Sequence, residues 1–370
     1  MSYKMRNEKM LHKNVCVLMP RNVNVQAGGI TRVVSYTKRE IDASNSPYAF
    51  TFIPTRWAEG KILSHVSTLY SLWKFLGAIF SEKAEIVHLH VAPKGSTWRK
   101  FLFAQIASLF GKPYIIHLHG AGYDEYFANQ PRFARNLIQK FYRKAAAVIV
   151  LGTGWRAWAG SDQGLGLEPE RVYIIDNGVP DPGLRSTHEN SVPRIVFVGF
   201  VGHRKGVDTL LDALKAVPPD IPWTCAVCGN GEVEKYENLA REKKLSLEQV
   251  EFTDWQSEEQ VRTQMAASDI HVLPSRAENQ PVAILEAMAI GLPSVSSSVG
   301  DIPNQIVDGE TGYVVPPDDP DALASALEKL LKNNQLRKTM GHAGRKRFED
   351  RYSSKINFKK TLEIYDAISK

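Results

Sequence analysis

The sequence predicts an α/β protein of two domains, each built on a parallel sheet with helices packed against it. Three observations predict this. Short all-apolar runs of strand length alternate with longer segments of helical periodicity, as buried parallel strands and their crossover helices require. The alternation stops at residues 180–193, rich in Pro, Gly, Ser and charge, and restarts behind them. With 370 residues, 43% hydrophobic and 23% charged, the chain can fill two separate cores and is not of disordered composition.

The first half opens with an apolar strand over residues 15–20, followed by Gly28 and Gly29 and a helix start at Thr31. Paired glycines between a strand and a helix let backbone approach a ligand, or simply make a tight turn. From 57 to 80 the residues Ile62, Val66, Leu69, Trp73, Leu76 and Phe80 recur at helical spacing, which predicts a helix packed on the sheet by that stripe. A strand at 86–91 carries His88 and His90. The helix after it, 97–110, mixes Trp98, Phe101, Leu102 and Ile106 with Arg99 and Lys100, a composition that suits either a core face or anionic lipid headgroups. Residues 113–120 form a strand with His117 and His119 at its end, where open α/β sheets bind ligands. Strands at 145–151 and 171–179 complete the half.

The second half begins with a strand at 194–199 and the loop Gly202-His203-Arg204-Lys205-Gly206. A cation pair between glycines ahead of a helix suits a diphosphate, and also suits a solvated turn. Further strands follow at 224–228, 250–253 and 269–274, with a capping box at Ser257–Gln260. The last strand feeds S-R-A-E-N-Q-P-V-A-I-L-E-A-M-A-I-G-L-P, residues 275–293. Asn279, Gln280 and Pro281 start a helix from Val282 to Ile290, and Gly291 with Pro293 stops it. Glu278 precedes the helix, where free N–H groups and the dipole make an anion site. Glu286 lies inside it among Val282, Ile284, Leu285, Ala287 and Met288. A carboxylate there accepts hydroxyl hydrogen bonds from a ligand or turns to solvent. Asp319-Pro320-Asp321 has the look of a metal-binding D-x-D, but an Asp N-cap with Pro behind it explains it fully.

Charge is uneven. Residues 1–190 hold 24 Lys and Arg against 14 Asp and Glu, net +10, while 191–370 hold 22 against 26, net −4. A basic half fits an anionic membrane face or an anionic substrate; no nucleic-acid-binding pattern accompanies it, so no nucleic acid partner is expected. Cys16, Cys225 and Cys228 all fall in apolar runs and read as core thiols of a reducing compartment. No apolar run reaches about 18 residues and residues 1–13 are polar, so neither a spanning helix nor a signal peptide is expected. The expected location is the cytoplasm, with attachment at the inner face of the cell membrane as an extension of the basic half. The two H-x-H pairs and Cys225-x2-Cys228 are further metal-like features; no carboxylate or third-ligand pattern follows the histidines, and the expectation is no metal.

The segment E-N-Q-P-V-A-I-L-E-A-M-A-I-G-L-P-S-V, with S-S-V-G-D-I-P-N-Q-I-V-D-G-E-T-G-Y-V-V-P-P-D-D behind it, resembles the signature of the retaining family 4 glycosyltransferases (group 1) of the GT-B fold. That pattern reads E-G-F-G-x-x-x-x-E-A-M-A-x-G-x-P-V-V, then G-G-x-P-E and D-G-x-x-G-x-L-V-x-P-x-D. The resemblance implies two Rossmann-like domains with a cleft between them: 1–188 on the acceptor side, 189–350 for the nucleotide sugar, and a helix at 351–370 crossing back. It implies catalytic roles for His119, Lys205 and Glu278. It also implies substrate contacts from Gly28, Gly29, Arg204, Asn279, Gln280, Pro281 and Glu286, the last on the ribose hydroxyls. No cofactor is implied beyond a nucleoside-diphosphate sugar as donor substrate. Three departures stand out: Gln280-Pro281 for Phe-Gly, Asp301 and Asn304 for the second Gly and the Glu of G-G-x-P-E, and Phe200 where an Arg is usual, with Arg204 as its replacement.

The implied reaction moves a hexose to an acceptor hydroxyl. The acceptor expected is a polyprenyl-diphosphate-linked saccharide in polysaccharide biosynthesis, and the first donor expected is GDP-mannose. A metal-dependent hydrolase built on the two H-x-H pairs and a non-catalytic nucleotide-sugar-binding protein are the other readings open to these residues.

Overall fold

The computed structural model describes residues 13–20, 29–56, 61–186 and 190–369. The chain forms two compact units, Met1–Ile175 with Lys359–Lys370, and Asp176–Phe358. The division therefore falls ahead of the Pro/Gly-rich 180–193 stretch, whose described residues belong to the second unit.

The first unit runs β1 (Lys13–Met19), α1 (Gly29–Ala43), β2 (Tyr48–Pro54), α2 (Lys61–Phe80), β3 (Ile86–Val91), α3 (Gly95–Leu109), β4 (Tyr114–Leu118), α4 (Tyr123–Ala128), α5 (Arg132–Arg143), β5 (Ala147–Val150), α6 (Thr153–Gly160) and β6 (Val172–Ile174). Its sheet has the order β2-β1-β3-β4-β5-β6, parallel throughout. Each central strand is buried on both faces because both are covered, and His88, His90 and His117 are the polar residues on β3 and β4. Cys16, Leu18, Val87, Leu89 and Ile116 face one core, and Val15, Val17, Ile86, Ile115 and Ile149 the other. Burial pushes the Cys16 thiol up to about 12, as expected of a core cysteine.

α2 reverses the face the sequence suggests. Val66, Leu69, Trp73 and Phe80 are exposed, Trp73 at 70%, while Ser67, Ser71, Phe75, Ala78 and Ile79 are buried. Small hydroxyl residues can take the inner face because their polar atoms are satisfied locally: Ser67 Oγ and Thr68 Oγ1 each donate to Ser64 O at 2.8 Å, and Ser71 Oγ lies 2.6 Å from Pro54 O. The helix thus lies close against β2 and shows its large apolar residues outward. α3 also differs from the lipid-facing expectation. Lys100 is fully buried, and Trp98 and Phe101 pack on the core.

The second unit runs β7 (Arg194–Val198), α7 (Val207–Ala216), β8 (Thr224–Cys228), α8 (Val233–Glu242), β9 (Val250–Thr253), α9 (Glu258–Ala266), β10 (Ile270–Leu273), α10 (Val282–Ala289), β11 (Ser294–Ser297), α11 (Ile302–Gln305), β12 (Gly312–Val315), α12 (Pro320–Lys332) and α13 (Asn334–Arg347). Its sheet order is β12-β11-β10-β7-β8-β9, again parallel. Strand order reverses between β7 and β10, and such a switch point opens a crevice at the carboxyl ends of the strands. The capping box forms at Ser257, whose side chain accepts from Gln260 N at 3.2 Å, and Asp319 caps α12 through Ala322 N at 2.9 Å. Cys225 and Cys228 lie buried in β8, their thiols raised by burial. A last helix, α14 (Ser354–Ile368), contributes Ile364 and Tyr365 to the core of the first unit.

Candidate active site

The switch point of the second sheet is where charge collects. The loop after β7 ends in Gly206, which takes the left-handed conformation at φ 68°; a Cβ there would lie 1.9 Å from Pro274 O, in the loop after β10. Glycine is what lets the two loops touch. Arg276 fastens them: its N–H donates to Arg204 O at 2.9 Å, and its guanidinium grips Asp208 through two bonds of 2.7 and 2.9 Å. Burial alone would raise the Asp208 carboxyl, but the Arg276 hydrogen bonds hold it below its usual range.

This geometry brings Lys205 and Glu278 together. The Lys205 ammonium donates to Glu278 Oε1, Ser275 Oγ donates to the same oxygen at 2.8 Å, and an Arg204 guanidinium nitrogen lies 3.9 Å away. The side chains of Lys205 and Glu278 are 14% and 9% exposed, that of Arg204 56%. Two cations on one carboxylate leave a surplus positive charge, which a diphosphate can take up. Sequence reasoning did not find Ser275, Arg276 or Asp208 as parts of this arrangement. Their pairing spans up to 68 positions, and no local pattern signals it.

The Gln280 side chain turns into the unit, while the contact the resemblance implies is one of backbone N–H groups. Its amide nitrogen donates to Asp176 Oδ1 at 2.6 Å and to Asp301 Oδ2 at 2.7 Å, while its amide oxygen accepts from Asn177 N at 2.5 Å. The side chain is therefore committed within the unit. Pro281 has no N–H, so it can meet a ligand only through its ring or carbonyl. Asn304 Nδ2 donates to Asp301 Oδ1 at 2.8 Å, and Asp176 pairs with Arg351 at 2.8 Å. The residues that depart from the family pattern, Gln280, Asp301 and Asn304, thus form one hydrogen-bonded group. Asn279 O accepts from Asp301 N at 2.7 Å, and a Cβ on Gly300 would lie 2.2 Å from Glu278 O, so this group fixes the backbone that carries Glu278. Glu286 is half-buried on α10, two turns on from Glu278.

The remaining sequence-predicted residues belong to the first unit. Gly28 lies outside the described residues, and Gly29 is the first residue of α1. His119 follows β4 and is buried, its N–H bonded to Val91 O at 3.0 Å. It closes a group of four histidines on one face of β3 and β4: His90 Nδ1 is 2.7 Å from His119 Nε2, and His88 Nδ1 is 2.6 Å from Tyr365 OH. Ligand atoms of His88, His90 and His117 lie within 4.8 Å of one another, so the two H-x-H pairs do converge on one place. Their rings stack, with interplanar angles of 12° for His88 and His90 and 29° for His90 and His117. Burial pulls His88 down to about 3 and holds His90 and His117 well below their usual value, so these three are neutral near pH 7.

Two family models match the chain, glycosyl transferase 4-like domain over residues 33–178 and glycosyl transferases group 1 over residues 185–347. The chain belongs to the group 1 glycosyltransferases. It is 26% identical over 313 residues to an uncharacterized glycosyltransferase of Methanocaldococcus jannaschii, an alignment covering 83% of this chain and 82% of that protein. It is also 26% identical over 215 residues to the capsular polysaccharide biosynthesis glycosyltransferase CapM of Staphylococcus aureus, covering 55% and 53%. Among solved structures, Anabaena HepE in complex with UDP-glucose superposes with a TM-score of 0.71 at 17% identity, covering 97% of this glycosyltransferase and all (100%) of that chain. The fold is GT-B.

Because Gln280 serves two carboxylates at once, Gln280→Ala is expected to lower stability by about 2–3 kcal/mol. In Asp301→Gly with Gln280→Ala the combined loss should fall short of the sum by at least about 0.5 kcal/mol, read by urea unfolding at neutral pH. Strict additivity would mean that Gln280 and Asp301 are uncoupled.

Proposed function

We propose that this glycosyltransferase takes a hexose from a nucleoside-diphosphate sugar and passes it, with retention, to a saccharide hydroxyl in polysaccharide assembly. The observation that carries the reading is the pairing of Lys205, flanked by Arg204, with Glu278 at the switch point of the second sheet. Departure of a diphosphate from the anomeric carbon develops negative charge, and donors already aimed at it can each contribute about 3–4 kcal/mol. In this reading the Lys205 ammonium moves its hydrogen bond from Glu278 to the leaving phosphate, and Glu278 is freed to hold the hexose. The bond from the anomeric carbon to the phosphate oxygen breaks, the acceptor oxygen bonds to the same face, and its proton passes to the leaving phosphate. Glu286 accepts from the ribose hydroxyls, and His119 is carried on the resemblance alone as a contact to the hexose. The UDP-glucose held by Anabaena HepE supports the donor class, and the capsular polysaccharide biosynthesis for which CapM is named supports the pathway class. GDP-mannose is the first donor to test, and no metal or cofactor is required by this chemistry.

The acceptor proposed is lipid-linked, with the enzyme attached to the surface of an anionic membrane. No helix among the described residues is long and apolar enough to cross one. Support comes from α2, whose Leu69, Tyr70, Trp73 and Phe80 are exposed, with Phe80 in edge contact with Phe110 at 5.3 Å. An outward aromatic and aliphatic face with Lys74 beside it suits the headgroup boundary.

Among nucleoside-diphosphate hexoses, the true donor should raise the thermal midpoint of the full chain. With that donor, Lys205→Ala should lower turnover by about 10²–10³ while weakening donor binding less. Near-normal turnover would remove Lys205 from the chemistry. Vesicles containing anionic lipid should bind the protein at low salt, and Leu69→Ser with Trp73→Ser should reduce binding at least tenfold without loss of fold. Equal binding by that variant would leave α2 without a role at the membrane.

A further inference from the structure

Lys100 is fully buried, yet among the described residues its ammonium bonds only to a hydroxyl, Thr55 Oγ1 at 2.5 Å. Thr55 Oγ1 itself donates to Met19 O at 2.9 Å, so its proton is committed and Lys100 sits on its lone pair. Two more cations stand close by. Arg99 precedes Lys100 on α3, is half-buried, and has a buried Nε without a hydrogen-bond partner among the described residues. Arg56 follows β2, its N–H bonded to Pro20 O at 3.0 Å. The charges act on one another: burial first and then Arg99 pull Lys100 well below its usual value, and burial with Arg56 lowers Arg99. Burying like charges together is strongly unfavourable unless an opposite charge joins them.

The position is informative as well. Met19, Thr55 and His90 stand at the carboxyl ends of β1, β2 and β3, and the strand order of this sheet reverses between β1 and β3. That is where an open α/β sheet receives ligands. Guanidinium forks and an ammonium together present the donor set that an oxyanion takes.

We propose that Arg56, Arg99 and Lys100, the last positioned by Thr55, form an oxyanion site in the first unit, which holds a phosphate or carboxylate group of the acceptor substrate. That the group belongs to an acceptor rests on the function proposed above; that the cluster binds an oxyanion does not. The donor diphosphate has its own cations, Arg204 and Lys205, in the second unit.

The test uses the full chain carrying Arg204→Ala and Lys205→Ala, so that the donor cations do not answer for the site. Its thermal midpoint is read in inorganic phosphate, in acetate and in chloride at equal ionic strength. Phosphate at saturation should raise the midpoint by about 2–4 °C over chloride. A rise with phosphate alone identifies a phosphate site, and a rise with acetate too a site for either group. Lys100→Met should raise the midpoint in chloride, since it removes an uncompensated buried cation, and should abolish the oxyanion response. Arg99→Gln, at a half-exposed position, should weaken that response at least fivefold and serves as the folded control if Lys100→Met fails to fold. A midpoint indifferent to both oxyanions, or a response undiminished in Arg99→Gln, overturns the proposal. A response that needs Lys100, with a wild-type chain that binds no nucleotide sugar, would keep the site and discard the acceptor assignment.

Discussion

One ion pair organises the second unit. Lys205 and Glu278 are 73 positions apart, and each is mostly withdrawn from water. Such a pair persists only where the remaining hydrogen-bonding capacity is met and the geometry is held from outside. Here the holding is visible: Gly206 admits the Pro274 carbonyl, Arg276 ties both loops to Asp208, and Gly300 and Asp301 brace the backbone of Glu278 and Asn279. Without the strand reversal between β7 and β10, the two loops would not be neighbours at all.

The two units treat their cations differently. In the second, Lys205 has a carboxylate in place. In the first, Lys100 has a hydroxyl and two other cations for neighbours. A cation buried beside like charges sacrifices stability, and one paired internally keeps stability and asks the ligand to compete.

What the sequence made legible was local. The strands, the helix from Val282, the capping box at Ser257 and the cap at Asp319 depend on residues within a few positions of each other, and all appear as expected. The stretch around Glu278 was legible for the same reason. The inward face of α2 was not, because an apolar stripe signals burial only if the opposite face cannot be buried, and serines that bond their own backbone can. Nor was the meaning of the departures from the family pattern. Gln280, Asp301 and Asn304 look like separate losses along the chain and become one network only when the loop before α10 meets the one before α11. The burial of Lys100 escaped notice because a basic residue beside aromatics reads as a surface feature, and its long stem is equally at home inside.

The central claim is that Lys205 and Glu278 act as one unit at the site of transfer. A double-mutant cycle on kcat with Lys205→Met, Glu278→Gln and the pair, using the donor that stabilises the wild type, tests this most directly. The account predicts strong non-additivity, each single change costing nearly as much as both together. Losses that multiply independently would contradict it.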